Sequence, residues 1–424
     1  MSSILTNNGA MIALQTLKMI NSDLGKIQSQ ISTGKNVASS KDNAAIWAIS
    51  KVMESDVKGF KAISDSLSLG ESTVAVARKG SETVSELLIT MKGKIVASQE
   101  SNVDRAKIQT DIDALQDQIN AVVGAAQFNG LSLLSNNATT VNSGRVNVLS
   151  SLDRSGSGVT AAQIAVGKDD LTMKARSVVG GAAVVSTAAV TLGAVQTATL
   201  AVTSPLTTGG RIFSIGLAGI DADSSKFVPA NYTTGATLPD MQKIMYITRD
   251  GDTAADVAKG LAQSFQIFAA KNGIDTNVLN VAASGNSLSV SSKVTDATDT
   301  IAVRIDTNIT ATSVVIGGGL EEINNFDVTT EAGARSALVS VEYMIQTAVD
   351  AAASFGSVEG RIETQARFVS GLTDSLRTGI GTLVDADMEE ASARLQALQV
   401  QQQLGVQSLS IANQAPQSVL SLFR

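Results

Sequence analysis

The chain has 424 residues, 44 % of them hydrophobic, which is enough for several domains with buried cores and no need of cross-links. It contains no histidine and no cysteine, so imidazole triads, thiol catalysis, disulfides and His/Cys zinc sites are excluded. A net charge of -7, with 17 % charged and 3 % aromatic residues, supplies neither the basic stripe nor the stacking rings of a nucleic-acid surface.

The opening MSSILTNNGAMIAL has no basic residue before Lys18 and no continuous apolar run, so it does not read as a Sec-type signal. No stretch approaches transmembrane length, and no membrane insertion is expected. From there Ala10, Ala13, Leu17, Ile20, Leu24, Ile27 and Ile31 recur with the three-four spacing of a coiled-coil seam. Asp42 and Asn43, after Ser39 and Ser40, read as the capped start of the next helix. Trp47, the single tryptophan, lies among Ile46, Ile49 and Met53 and reads as a core or interface anchor. The seam resumes at Phe60, Ile63, Leu67, Val74, Ala77, Val84, Leu88, Met91 and Ile95, with Gly70 and Ser81 as expected weak points. A link around Ser98 to Val103 leads to an antiparallel third helix carrying Ile108, Ile112, Leu115, Ile119 and Val122 and closing near Gly124.

Between about 140 and 325 the heptads vanish. Thr, Ser, Ala, Val and Gly dominate, and alternation such as Ile301, Val303 and Ile305 predicts strands. Pro205, Pro229 and Pro239 mark turns or edges. Thr253 and Asp256 form a capping-box start for a helix through Ala270, with Gly273 as its stop. A hairpin turns at Ser284-Gly285-Asn286 with Leu288 and Val290 on one face. Gly317 to Gly319 lack the lysine of a phosphate loop and read as a flexible connector.

Leu338, Val341, Ile345, Ala348, Ala352, Phe355, Val358 and Ile362 then predict a long helix over most of 331 to 380. Asp385, Asp387, Glu389 and Glu390 favour the positive end of a last helix, a better reading than a catalytic pair or a cation site. That helix is expected from Met388 to Asn413, stopped by Pro416. No catalytic, cofactor or metal residue is assigned.

The fold class is therefore α+β and multidomain: a long α-helical coiled-coil hairpin or bundle made by the N- and C-terminal segments, with a β-rich inserted middle. The expected divisions are an inner helical domain (1–45 with 385–424), a helical bundle (46–140 with 325–384) and an exposed β-rich part (141–324). Either end alone is a marginal helix in water, whereas matching seams satisfy each other.

No charged side chain occurs from Ser2 to Leu17 or from Leu395 to Phe423. Solvated helices carry Lys and Glu, so these ends are built to be covered by other protein. The candidate interface residues are Ile4, Leu5, Leu14, Leu17, Leu398, Leu404, Leu409, Ile411 and Leu420, exposed in one subunit and buried after assembly.

Three stretches are similar to bacterial flagellin: ISTGKNVASSKDNAAIWAIS (31–50), AAQFNGLSLL (125–134) and the ending VDADMEEASARLQALQVQQQLGVQSLSIANQAPQSVLSLFR (384–424). The resemblance implies a self-assembling filament subunit without cofactors, exported through the flagellum's own channel. It implies an export chaperone, the export apparatus, and hook-filament junction and cap proteins as partners. It also places Lys41, Asp42, Asn43 and Trp47 against adjacent subunits. A junction protein or a flagellin-like surface adhesin is the alternative. In LITMKGKIVA (88–97), Thr90 and Gly93 stand where receptor-stimulating members have arginine and glutamate. Weak or no innate receptor activation is expected.

Overall fold

A computed structural model describes residues 7–155, 158–179, 184–193, 196–202, 209–221, 229–234, 242–293, 299–308 and 313–420. The chain forms two compact units, one from 1–65, 151–159 and 366–424, the other from 66–150 and 160–365.

Five long helices come from the two ends of the sequence: α1 (Asn8–Thr33), α2 (Ala44–Ala97) and α3 (Arg105–Ala125), then, after the middle region and its α4 (Ala254–Asn272), α5 (Glu331–Val384) and α6 (Met388–Leu420). The expected stripe on α2 is buried, from Ile63 and Leu67 through Val74, Ala77, Val84, Leu88, Met91 and Ile95. Gly70 and Ser81 are not weak points. A Cβ at Gly70 would lie 2.6 Å from Val148, so glycine there admits a neighbouring side chain, and the Ser81 hydroxyl donates back to the Ala77 carbonyl inside the helix. On α5 the buried face is Ala337, Val341, Met344, Ala348, Ala351, Phe355 and Ile362. Ala337, Met344 and Ala351 are buried in place of the expected Leu338, Ile345 and Ala352, a shift of one position, while Val341, Ala348, Phe355 and Ile362 are buried as expected. Arg78 of α2 donates both to Glu82 of its own helix and to Glu359 of α5.

The last helix also differs from expectation, running through Pro416 to Leu420. Proline has no N–H to give the carbonyl four residues back, so Ala412 must find another donor. It has one in Asn7, whose Nδ2 lies 2.7 Å from the Ala412 oxygen.

The middle region is stranded as expected. β1 (Arg145–Ser155) pairs with β2 (Gly158–Gly167). β3 (Ser177–Val179) pairs with β12 (Ser313–Val315). The main sheet is centred on a nine-residue antiparallel ladder between β7 (Ile212–Ile220) and β11 (Thr300–Asn308). β8 (Met245–Ile247) extends it beside β7, while β4 (Val184–Ser186) and β5 (Val190–Leu192) both pair with β11. A second sheet has the order β6-β10-β9, from β6 (Gln196–Ala201), β9 (Leu279–Ser284) and β10 (Ser287–Ser292). Alternation places Ile301, Val303, Ile305, Leu288 and Val290 in one core with Phe213, Leu217, Val257, Leu261 and Phe265. α4 starts with both hydrogen bonds of the Thr253/Asp256 capping box and ends at Gly273, φ 67°. Pro229 opens a short 3-10 turn; Pro205 and Pro239 lie outside the described residues.

Gly317 to Gly319 are no flexible connector. A Cβ on Gly318 would sit 1.8 Å from the Thr172 carbonyl oxygen, and one on Gly319 2.2 Å from that of Asp170. Gly318 N–H donates to the Lys174 carbonyl, and Leu320 N–H to that of Thr172. The glycines are required by close backbone packing, which a sequence cannot distinguish from a demand for mobility.

Candidate assembly interface

α1 and α6 pack against each other along their length. Asn7 caps α1 by accepting from the Ala10 N–H at 3.0 Å, and Gly34, φ 69°, ends it. The turn that follows is bonded to the α5–α6 junction: Asn36 N–H donates to the Val384 carbonyl at 2.7 Å, and Ala386 N–H to that of Gly34 at 3.0 Å. Val37, Val384 and Ala391 are buried in this corner. Asp387 begins α6 by accepting from the Glu389 and Glu390 N–H groups. Of the acid cluster Asp387 is thus the helix cap, while Glu390 pairs with Arg394 one turn on.

The candidate residues fall into two sets. Leu17, Leu398 and Leu409 are half-buried along the shared seam. Leu14, Leu404 and Ile411 point away from it, with Ile411 69 % exposed. Sequence reasoning pooled these sets because it listed apolar residues without fixing the phase of α6. With the phase known, Met11, Ile12, Met19, Val400 and Val406 join the outward set. Ile4 and Leu5 lie outside the described residues, and Leu420 ends the described part of α6.

Lys41, Asp42 and Asn43 are exposed, and Trp47 is half-buried. Asn43 Oδ1 caps α2 by accepting from the Ala45 and Ile46 N–H groups, both at 3.2 Å. Asp42 Oδ2 accepts from the Ser39 N–H and hydroxyl and from the Ala38 N–H. The Ser39 N–H bond, first among these, holds the Asp42 carboxyl below its ordinary value. Nearby, Lys51 pairs with Glu54 at 2.7 Å and lowers its carboxyl. The turn is therefore rigid where it meets solvent, with Lys41 at its tip.

A helical pair whose outer stretches carry no charge, and whose apolar side is left uncovered among the described residues, defines a structural subunit made to be packed by other protein. Comparison with known proteins gives the family. The model of the bacterial flagellin N-terminal helical region matches residues 4–139, and that of the C-terminal helical region matches 338–423. Flagellin A of Rhizobium meliloti is 35 % identical over the whole of both chains. Flagellin FljK of Caulobacter vibrioides is 28 % identical over 100 % of this chain and 99 % of its own. Among solved structures, FliC of Burkholderia pseudomallei matches 69 % of this chain and 99 % of its own at 13 % identity and a TM-score of 0.30. The flagellar junction protein FlgL of Legionella pneumophila matches 79 % and 98 % at 11 % identity and a TM-score of 0.32. The chain belongs to the bacterial flagellin family and is a structural subunit of the flagellar filament.

Proposed function

We propose that the α1–α6 pair is the inner contact layer of the filament and that its outward side chains, Leu14, Leu404 and Ile411 with Met11, Ile12, Met19, Val400 and Val406, bury against neighbouring subunits. The observation that carries this reading is the coincidence of an uncharged sequence with exposed apolar positions on both helices. Each such side chain, once covered, contributes about 1.5–3 kcal/mol, repeated in every subunit. Residues 1–45 with 385–424 form the inner part, 46–140 with 325–384 the surrounding bundle, and 141–324 the displayed part.

Lys41, Asp42, Asn43 and Trp47 make the lateral contact between subunits, a reading supported by a turn already rigid before assembly. Family membership supports export through the flagellar channel with a dedicated chaperone and growth between the junction and cap proteins. On the exposed α2 segment, the Thr90 hydroxyl bonds to its own helix at the Glu86 carbonyl, and Gly93 presents no side chain. The surface there offers no guanidinium fork, and innate receptor activation is weak.

Deletion of about 145–320 tests this layering. Polymerisation of the remaining ends, read by sedimentation and electron microscopy, is the expected result; a soluble monomer that retains its helices overturns it.

A further inference from the structure

The positions of α6 that are turned from solvent are Ala391, Leu395, Leu398, Gln402, Gly405, Leu409 and Ala412, a strict four-three repeat. On α1 the matching set is Ala10, Ala13, Leu17, Ile20, Leu24, Ile27 and Ile31. A repeat of seven leaves an ambiguity, because sliding one helix by a heptad sets seam against seam again. Two members of the α6 seam are out of place as apolar packing: Gln402 brings an amide, and Gly405 costs a helix interior about 1 kcal/mol relative to alanine.

Both have counterparts on α1. Gln402 Nε2 donates to Asn21 Oδ1 at 2.7 Å. A Cβ built on Gly405 would lie 3.2 Å from Leu17 Cδ1, so the glycine is the notch that receives that leucine. The third contact is Asn7, which caps α1 with its oxygen and gives its Nδ2 to the Ala412 carbonyl that Pro416 leaves without a helical donor. The three contacts agree on one antiparallel alignment. A heptad slide takes Asn7 from Ala412 and Leu17 from Gly405, and puts Leu14 or Gln28 where Asn21 stands, so one direction of slide leaves the Gln402 amide without a side-chain partner.

We infer that Asn7, Gly405 and the Asn21–Gln402 pair specify the register in which the two chain ends join, and so fix how far each helix reaches along the other. The inference builds on membership of the filament family and not on the lateral contacts proposed above. A polar residue in a seam lowers affinity while selecting one alignment, and here it acts together with the backbone bonds that join the end of α1 to the start of α6.

The cysteine-free chain permits a direct test. A Cβ on Gly9 would lie 3.8 Å from that of Ala412, within the about 3.5–4.5 Å that a disulfide spans. Full-length Gly9→Cys/Ala412→Cys is assembled, oxidised and run without reductant, beside a heptad-shifted control, Thr16→Cys/Ala412→Cys. The expected result is an intrachain bond at least about tenfold more abundant in the first pair than in the control, a preference of about 1.4 kcal/mol. Adding Gln402→Leu and Gly405→Leu to each pair should erase that preference while circular dichroism shows helix content retained. Equal cross-linking of the two cysteine pairs, or bonds formed between chains, overturns the inference. So does a preference that survives Gln402→Leu/Gly405→Leu.

Discussion

Arg249 Nη2 donates to the Gly317 carbonyl at 2.8 Å, binding the segment after β8 to the one by which the chain returns to α5. The same guanidinium faces Asp170, Nε to Oδ2 3.8 Å, on the outgoing segment, and Nη1 donates to the Tyr246 hydroxyl, which itself donates to Asp252. Arg176 pairs with Glu321 and Glu322 and donates to the Met245 carbonyl. Two arginines thus clasp the outgoing and returning strands of the middle region.

Replacing Arg249 with Leu should be costly. Asp170 is 1 % exposed at its side chain and would be left buried without this partner, a loss of about 3–5 kcal/mol for a broken buried pair. The three tyrosines lie in the 66–150/160–365 unit and Trp47 in the other, so urea titrations followed by each fluorophore report the units separately. The tyrosine midpoint should fall and the tryptophan midpoint hold. Adding Asp170→Leu should recover part of the loss.

Acid should act with opposite signs on the arginine clasp and on the turn at Asp42. Asp169, Asp252 and Glu321 around the clasp are pushed above their ordinary values, chiefly by burial. A raised carboxyl binds its proton more tightly when folded. Its contribution is full below the ordinary value and is lost as pH rises through the raised one. Asp42 and Glu54 are lowered, so theirs is present above the ordinary value and lost as pH falls. Between about pH 7 and pH 5 the change in tyrosine midpoint should be more favourable in wild type than in Asp252→Asn. Assembly itself should stay nearly flat from about pH 5.5 to 8, because no histidine titrates there.

Two glycines should respond in opposite directions to the same substitution. Gly318→Ala drives a methyl against the Thr172 carbonyl, and a loss of about 3 kcal/mol or more in the tyrosine midpoint is expected. Gly93→Ala meets nothing within 4 Å near the C-terminal end of α2 and should stabilise by up to about 0.8–1 kcal/mol. Destabilisation by Gly93→Ala would show that the exposed α2 face has a close neighbour.

Ile411→Lys tests the outward face. The residue is 69 % exposed, so helix content of the monomer should be unchanged while the critical concentration for assembly rises at least about tenfold. Leu409→Lys, on the seam with α1, should raise it as well and also weaken the α1–α6 pair. Sedimentation over a concentration series together with circular dichroism separates the two. Wild-type assembly by Ile411→Lys would remove that face from the interface.

The sequence by itself determined much of this protein. Heptads far from each other in the chain specified the helices, alternation at Ile301, Val303 and Ile305 specified strands, and Thr253, Asp256 and Gly273 set the limits of α4, because these signals are local periods and caps. The loss of charge at both ends was legible for the same reason. Tertiary structure alone decided the rest. Whether Gly318 is mobile or crushed between backbones depends on Thr172, far away in sequence, and whether Pro416 ends a helix depends on Asn7 supplying the missing donor. Which residue of α1 each seam residue of α6 meets, as Gly405 meets Leu17, follows from the register of α6 on α1. A heptad pattern repeats every seven residues and leaves that choice to the few side chains that fit in one place only.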